Sequence, residues 1–228
     1  MTLRTRIEGL FAKQVSGLTE CAEFRALESG QASREHYDCF IANVVRAHLK
    51  STQFVAFLYA LAPPVTAESR LQNMLEEIHH PSLLRQLATG AGFAKRLPEL
   101  EALAAADIRR VAVEPLLYGT LKELGLSALC EVIAFEYMLS RVATRIAEAL
   151  ADHRGLSTAT LRWWTEHSEV DIQHAAQGLD DLEAYVHYYE FTEEDAATII
   201  DMTMRENVFI KRYFGELPLA RAMQMVGS

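Results

Sequence analysis

The sequence predicts an all-α protein, and three observations carry this prediction. Apolar residues recur at helical spacing along most of the 228 residues, as in the run Phe40, Ile41, Val44, Val45 and Leu49. No segment alternates apolar and polar residues between turn signals, which is the pattern of a half-buried strand. Half of the residues are hydrophobic, which is enough to bury a sizeable core. We therefore expect a helical bundle of one domain with short connections.

Three helices are predicted in the N-terminal part of the chain: residues 1–13, 34–61 and 66–87. Ser33 suits the N-cap of the second helix, and Pro63 cannot continue it. Pro81 is expected to interrupt the third helix, because a proline has no backbone N–H to donate. Gly90 is expected to follow the end of that helix.

The C-terminal part predicts further helices: a short one that Pro98 starts, then residues 108–124, 127–151, 158–188 and 192–214. Gly125 is expected to end the second of these, and Ser127 to begin the next. Thr192 and Asp195 form a capping signal for the last one. The chain should then contain seven or eight helices, without a linker, repeat or low-complexity segment.

Composition excludes several classes of protein. The net charge of −9 and a pI near 5.4 argue against a non-specific binder of nucleic acid or anionic membranes, because both need clustered Lys and Arg. Met1–Lys13 has no signal-peptide core, and no apolar run reaches the roughly 18 to 20 residues of a membrane span. The odd set Cys21, Cys39 and Cys130 does not suggest a disulfide framework. We expect a soluble, cytoplasmic protein without a nucleic-acid or membrane partner.

The sharpest chemical signal is the triad His167, Asp171 and His174. At about 100° per residue, these positions fall within roughly 60° of one another on one helix face. Trp163 and Gly178 share that face, so the triad is expected to point inward. Two imidazoles and a carboxylate in a core are costly unless they are hydrogen-bonded or bind a metal. The alternative is a surface helix that is rich in His and Glu.

The second signal is the pair Glu77 and His80 at positions i and i+3, a spacing by which helical-bundle di-iron proteins bring two ligands to one metal. Pro81 follows directly and cannot donate to the carbonyl of Glu77, so a kink is expected beside the pair. Glu76 and His79 have the same spacing, which leaves the register open by one residue. An exposed, charged helix end is the other interpretation.

The third signal is Glu136, which lies half-way along an apolar stripe of its predicted helix. An unpaired carboxylate in such a place either takes up a proton or finds a cation. Arg141 or Arg145 would supply that cation in the absence of a metal. Together, the three signals offer three carboxylates and three imidazoles from three helices, a set that suits two iron ions. Oxygen and nitrogen donors without thiolate favour iron or manganese.

The ligand pattern resembles that of the haem-oxygenase-like di-metal oxidases and oxygenases: Glu77, His80, Glu136, His167, Asp171 and His174. The resemblance covers roughly residues 31–182. It implies one domain over residues 1–228, with the seven- or eight-helix fold of haem oxygenase and thiaminase II. The short Glu-x-x-His spacing is most similar to that of the fatty-acid decarboxylase member, which forms 1-alkenes. The p-aminobenzoate synthase is another member.

The resemblance further implies that all six residues bind two Fe(II) ions, with manganese as the less favoured metal. Dioxygen would be the co-substrate, and a small carboxylate or amino-acid-like substrate would undergo decarboxylation, other C–C cleavage or N-oxygenation. Glu77, Glu136 and Asp171 would be the catalytic carboxylates. The p-aminobenzoate synthase consumes its own tyrosines, whereas the corresponding stretches here contain Phe24 and Val44–Val45, which argues against self-sacrifice. A homodimer is expected for this fold.

Several residues are candidates for the walls of a substrate pocket, although aromatic residues at helical spacing are more often plain core: Phe40, Phe54, Phe135, Tyr137, Trp163 and Trp164. Arg46, Lys50 and Arg141 are candidates to pair a substrate carboxylate, although such residues are more often solvated surface charges.

Two rival functions remain open at this point. One is a thiaminase II-like hydrolase that uses Cys130 as its nucleophile, although a buried cysteine is more often a small hydrophobic residue. The other is a non-catalytic binding protein on the same fold, which would recognise haem through His36 or His48. Metal analysis separates these functions from a di-iron oxidase.

Overall fold

The computed structural model describes residues 2–113 and 119–226 and contains twelve helices within them. The helices are α1 (Leu3–Glu20), α2 (Ala22–Glu28), α3 (Arg34–His48), α4 (Ser51–Ala60), α5 (Ala67–Glu77), α6 (His80–Gly90), α7 (Leu97–Val113), α8 (Leu121–Arg154), α9 (Arg162–Tyr188), α10 (Glu193–Thr203), α11 (Val208–Phe214) and α12 (Glu216–Val226). These residues contain no strand. The predicted all-α fold class is confirmed.

The chain is divided into more helices than the sequence predicts, because several predicted helices are broken. The helix expected over residues 34–61 is interrupted at Leu49 and Lys50, which separate α3 from α4. The helix expected over residues 192–214 is interrupted between α10 and α11. There Asn207 caps α11 by accepting a hydrogen bond from the backbone N–H of Ile210 at 3.0 Å. The helical character of both ranges was predicted, but their continuity was not.

Prolines delimit helices as expected. Pro81 lies in the first turn of α6 and so separates α5 from α6, in a position where its missing N–H leaves no bond unmade. Pro98 lies in the first turn of α7. That helix continues to Val113, so no separate helix begins at Ile108, and residues 114–118 lie outside the described part of the chain.

Gly125 lies inside the 34-residue helix α8, and Ser127 does not begin a new helix. The prediction of a helix end was wrong because this glycine serves packing between helices. A β-carbon at Gly125 would overlap the buried hydroxyl of Tyr185 on α9. Gly178 on α9 similarly accommodates Ile133 of α8, whose Cγ1 would lie 2.7 Å from an added β-carbon. Helices α8 and α9 therefore pack closely and form the centre of the bundle.

Replacing Gly125 with alanine is expected to lower the stability of the protein by about 1–3 kcal/mol through overpacking. This loss exceeds the gain in helix propensity of up to about 1 kcal/mol, because the Tyr185 hydroxyl must leave its hydrogen bond to the Lys122 carbonyl. Gly9→Ala is the matched control, since nothing lies within 4 Å of an added β-carbon in α1. Thermal denaturation should show a lower Tm for Gly125→Ala and an unchanged or higher Tm for Gly9→Ala. Equal Tm values for the two variants would contradict the packing role.

The described residues form one continuous apolar core in which α8 is buried along most of its length. Trp163 and Trp164, the only two tryptophans of the sequence, are fully buried at the start of α9. Among the described helices, none has the combination of length and apolarity that crossing a membrane requires. The beginning of α9 and the facing part of α8 position the candidate site.

Candidate metal centre

Four helices position the six residues that the sequence singles out. Glu77 is the last residue of α5, and His80 is the first of α6. Glu136 lies near the middle of α8, and the other three residues follow one another along α9. Four of the six are buried, and the side chains of Glu77 and His174 are only 12% and 15% exposed. All six therefore face the interior, and none lies on an open surface.

The structure brings Glu77, His80 and His167 together, with one ligand atom of each within 4.8 Å of the others. His80 Nδ1 lies 2.9 Å from Glu77 Oε2, yet this buried nitrogen makes no hydrogen bond. Two adjacent ligands of one ion, each bound at about 2.1 Å, lie ~3 Å apart when the bonds are perpendicular. The approach of these two atoms therefore fits a shared metal ion.

The imidazole of His167 is oriented by its own helix. Its Nδ1 lies 2.6 Å from the carbonyl oxygen of Trp163, one turn earlier. Since a carbonyl only accepts, Nδ1 carries the proton, and Nε2 is left as the metal-binding nitrogen. Burial, together with the neighbouring His80, lowers the pKa of His167 to about 4. The ring is therefore neutral near pH 7, which is the form that binds a metal.

Glu77 is held ionised by its neighbours. Burial alone would raise its pKa, but the His80 and His167 imidazoles and a hydrogen bond from Ser51 outweigh burial and lower the pKa to about 2. The Ser51 hydroxyl donates to Glu77 Oε2 at 2.7 Å, and the Thr52 hydroxyl donates to the Glu77 carbonyl at 2.8 Å. The break between α3 and α4 thus places the start of α4 against this ligand.

Removing the Ser51 hydroxyl is expected to weaken metal binding roughly 10-fold, because groups that orient a ligand typically contribute 10- to 100-fold to metal affinity. The measurement is the dissociation constant for Co(II) in Ser51→Ala, by anaerobic calorimetry. Ser168→Ala is the matched control, since that hydroxyl bonds only to the Thr165 carbonyl of its own helix. An affinity in Ser51→Ala equal to that of the control would show that Glu77 needs no such support.

Glu136, Asp171 and His174 form a second group beside the first, although their atoms do not converge as closely. His174 Nδ1 lies 3.5 Å from Asp171 Oδ1. Asn73 Nδ2 donates to Glu136 Oε1 at 3.1 Å. Glu136 Oε2 and Asp171 Oδ2 are both buried and have no hydrogen-bond partner among the described residues. Two orphaned carboxylate oxygens in a core are the expected mark of a missing cation.

The electrostatics of this second group indicate a surplus of negative charge. Burial, and next the charge of Glu136, raise the pKa of Asp171 to about 8. Burial also raises the pKa of Glu136, although Arg70 opposes the shift. Burial alone would lower the pKa of His174, but Asp171 and Glu136 outweigh it and raise the pKa to about 9. Without a cation, this group would bind protons to offset its surplus of negative charge. A divalent ion would offset the same negative charge.

Arg141 and Arg145, the two arginines that the sequence offers for this role, do not pair with Glu136. Arg141 stacks on the ring of Tyr137 and donates to that residue's carbonyl, and Arg145 pairs with Glu28. The buried Arg70 acts on Glu136 electrostatically, but it forms its ion pair with the buried Asp181. The donor set of Glu77, His80 and His167 therefore fits a divalent ion, and the second group carries a surplus of negative charge that a further cation would offset.

Burial distinguishes the two registers that the sequence leaves open. His80 is 3% exposed and faces the interior, whereas the side chain of His79 is 51% exposed and contacts Glu166. Glu76 is also partly exposed and lies against His174, with a separation of 2.7 Å between Glu76 Oε2 and His174 Nε2. The pair Glu77 and His80 is therefore the inner one, and Glu76 and His79 lie outside it.

A cavity of about 200 Å³ opens onto the site, with Glu77, Glu136, His167 and Asp171 among its lining residues. Its volume exceeds by several-fold the ~30 Å³ that one water occupies in the liquid, so it has room for a small organic molecule. It lies between α3, α4, α7, α8 and α9. The metal-binding atoms thus border a space in which a substrate can approach them.

The predicted pocket residues divide into two sets. Those that line the cavity are Phe54, Phe135, Trp163, Arg46 and Lys50. Those that do not line it are Phe40, Trp164, Tyr137 and Arg141. Phe40 and Trp164 stack on each other in the core, 6.0 Å apart, and Tyr137 packs on Phe11. The three aromatic predictions were wrong because a shared helix face does not distinguish residues packed in the core from residues that face a cavity. Arg141 is instead exposed and stacks on the Tyr137 ring.

Sequence reasoning missed His48 as a cavity residue and considered it only as a lone haem ligand. His48 lines the cavity, and its ring lies 5.1 Å from those of Phe135 and Trp163. Its Nε2 lies 2.9 Å from the hydroxyl of Tyr213. Burial, and next His167, lower the pKa of His48 to about 3, so that a neutral imidazole faces the cavity. No local motif marks this residue, because the break at Leu49 and Lys50 creates its surroundings.

The geometry does not favour Cys130 and His36, two of the three residues proposed for the rival functions. Cys130 is fully buried, does not line the cavity, and has a pKa that burial raises far above the usual range of a thiol. A reactive cysteine needs the opposite shift. His36 is exposed near the start of α3 and does not line the cavity.

A family model described as an iron-containing redox enzyme matches residues 39–206 of the chain. The chain belongs to this family. The matched segment contains all six candidate ligands, so the family's iron and the geometry described above point to the same part of the molecule. No curated protein matches the sequence.

Two solved structures are similar to the protein in fold. One is a domain of unknown function with a haem-oxygenase-like fold from Shewanella denitrificans, 14% identical, with a TM-score of 0.64 over 100% of this chain and 94% of that one. The other is a TenA homologue from Pseudomonas syringae pv. tomato, 10% identical, with a TM-score of 0.61 over 96% of this chain and 92% of that one. The family member described here has the haem-oxygenase-like fold, as the sequence predicts.

Proposed function

We propose that the protein is a non-haem di-iron oxidase or oxygenase that uses dioxygen to oxidise a small carboxylate or amino-acid-like substrate. The observation that carries the proposal is the contact of His80 Nδ1 with Glu77 Oε2 at 2.9 Å without a hydrogen bond, beside the free Nε2 of His167. Membership of a family of iron-containing redox enzymes favours iron over other metals that also bind nitrogen and oxygen donors.

In this proposal Glu77, His80 and His167 hold one ion, and the second triad holds the other: Glu136, Asp171 and His174. Bound iron would supply the capacity to activate dioxygen and oxidise the substrate. The protein's own task is to orient these ligands, to position the substrate and to exclude water. Dioxygen and substrate would share the cavity onto which both triads open.

The cavity favours an anionic substrate with a short apolar body. Its walls include the apolar side chains of Phe54, Phe135 and Trp163, which exclude water from the reacting atoms. Arg46 pairs with Asp107 at 2.7 Å. Lys50 also lines the cavity, and its ammonium group makes no hydrogen bond or ion pair with the described residues. Its ammonium group is therefore available for a substrate carboxylate.

The test is an anaerobic titration of the apoprotein with Fe(II), followed by addition of oxygen. Trp163 reports binding, because its ring lies 4.3 Å from that of His167 and a paramagnetic ion nearby quenches its fluorescence. We expect quenching to end at two Fe(II) per chain. An oxygen electrode then detects which of a panel of carboxylates and amino acids accelerates oxygen consumption.

An endpoint of zero or one Fe(II) per chain would refute a di-iron centre. A metal-free protein that hydrolyses thiamine would instead support the thiaminase II-like function, which the fold of the TenA homologue allows. A Soret band after addition of haem would support a haem-binding protein. Manganese in place of iron would leave the ligand set intact and change only the cofactor.

A further inference from the structure

Another group of side chains that could hold a metal ion adjoins the candidate metal centre and reaches the surface. It consists of His79, His80 and Glu166, with one ligand atom of each within 4.8 Å of the others. His79 Nε2 lies 3.1 Å from Glu166 Oε2. The side chains of His79 and Glu166 are 51% and 25% exposed, so that solvent reaches this group directly. We call His79 and Glu166 the outer pair.

The outer pair is connected through His80 to the triad of Glu77, His80 and His167, which we call the inner triad. This imidazole belongs to both groups, its ring centroid lies 4.8 Å from that of His79 and 4.4 Å from that of His167, and its buried Nδ1 lacks a hydrogen bond. Each outer residue also directly precedes an inner one in the sequence, as Glu166 precedes His167. A cation bound by the outer pair would therefore be one ligand exchange away from the inner triad.

The outer pair is not part of the cavity lining. Glu77, Glu136, His167 and Asp171 line the cavity, whereas neither member of the outer pair does, and His80 does not either. Outside the centre, the cavity's carboxylates are Asp107 and Glu131, which already pair with Arg46 and Arg212 and are therefore less available to an entering metal ion. The outer pair offers an imidazole and a carboxylate at the surface.

One competing contact exists at the outer pair. Arg162 Nε lies 2.6 Å from Glu166 Oε1, and Glu166 Oε2 remains directed at His79. The side chain of Arg162 is 62% exposed, and an exposed ion pair within one helix contributes little to stability. An arriving divalent cation would therefore displace Arg162 readily, or bind through Oε2 alone.

We propose that His79 and Glu166 form a capture site for divalent metal, which passes ions to the inner triad through His80 by a route separate from the substrate cavity. This inference rests on the proposed function, because it requires that the inner residues bind metal. It assigns His79, which belongs to the exposed register, a part in metal delivery and not in the finished centre. The outer pair is accordingly occupied only in transit.

The test is the rate of Co(II) uptake by the apoprotein in the double variant His79→Ala, Glu166→Gln. Stopped-flow quenching of Trp163 fluorescence measures arrival at the inner triad, and elemental analysis after desalting measures the final content. We expect uptake to slow ~10-fold or more, because charged sites that concentrate an ion accelerate its capture by 10- to 1,000-fold. The final content should remain two Co(II) per chain.

The control is the double variant His36→Ala, Glu169→Gln, which removes one exposed imidazole and one exposed carboxylate elsewhere. It should take up Co(II) at the rate of the unmodified protein. An unchanged rate in the His79 and Glu166 variant would overturn the inference while leaving the proposed function in place. A third Co(II) that is retained by the unmodified protein and lost from this variant would overturn transfer in favour of a resident site. Failure of the unmodified protein to bind Co(II) would refute both proposals.

Discussion

Replacing His167 with alanine is expected to reduce bound iron from two ions per chain to one or none and to abolish oxygen consumption. His167 is the only residue of α9 in the inner triad, and its ring is held with Nε2 free by the Trp163 carbonyl at 2.6 Å. Without it, Glu77 and His80 remain as two ligands, too few for an ion that prefers a larger set. Elemental analysis of anaerobically loaded, desalted protein measures the loss.

Two further variants separate metal loss from misfolding. His167→Gln keeps much of the side-chain volume beside Trp163 and should lose metal to a similar extent. His187→Ala removes an exposed imidazole near the end of the same helix and should leave metal content unchanged. Two irons and normal oxygen consumption in both His167 variants would show that the inner triad is not a metal site.

The variant Glu136→Gln is expected to stabilise the apoprotein and to weaken metal binding. Glutamine retains the shape of the side chain and an oxygen that accepts from Asn73, but it removes a buried charge whose second oxygen has no partner. We expect the Tm of the apoprotein to rise by about 2–4 °C, the shift that ~1 kcal/mol produces in a domain of this size. The additional rise on adding Co(II) should shrink, because a ligand that binds only the folded state stabilises it by an amount that grows with the logarithm of its affinity.

Glu148→Gln is the matched control, because Glu148 is exposed on the same helix. It should change neither the Tm of the apoprotein nor the response to Co(II). A fall in the apoprotein Tm of Glu136→Gln would mean that the carboxylate is already satisfied without a metal, and the second triad would then lose its main support. Thermal scans with and without Co(II) give both quantities from one preparation.

Local periodicity explains what could be predicted from the sequence. His167, Asp171 and His174 share a helix face by spacing alone, and the structure has them on one continuous helix, α9, as expected. Glu77 and His80 were singled out by a short spacing and a following proline, and both features act within a few residues. The helix break at Pro81 needs no knowledge of the rest of the chain.

Features that depend on packing between distant segments could not be predicted. The sequence suggests a helix end at Gly125, because nothing near this glycine in the chain indicates a packing role. Its packing partner, Tyr185, lies far away in the sequence. His48 borders the cavity because α3 ends beside it, and the residues that enclose it come from α8, α9 and α11. The same limit applies to Lys50, whose surroundings follow from that helix break.

In the proposed centre, residues of one continuous helix, α9, would serve both ions, so the helical pitch would set the distance between their ligands. His167 and His174 are separated by two turns, or ~10 Å along the axis, with Asp171 between them. The spacing of the two ions would follow from this geometry and not from the choice of individual side chains. One residue inserted between His167 and Asp171 would rotate the remainder of the triad by ~100° about the axis and dismantle the second position while sparing the first.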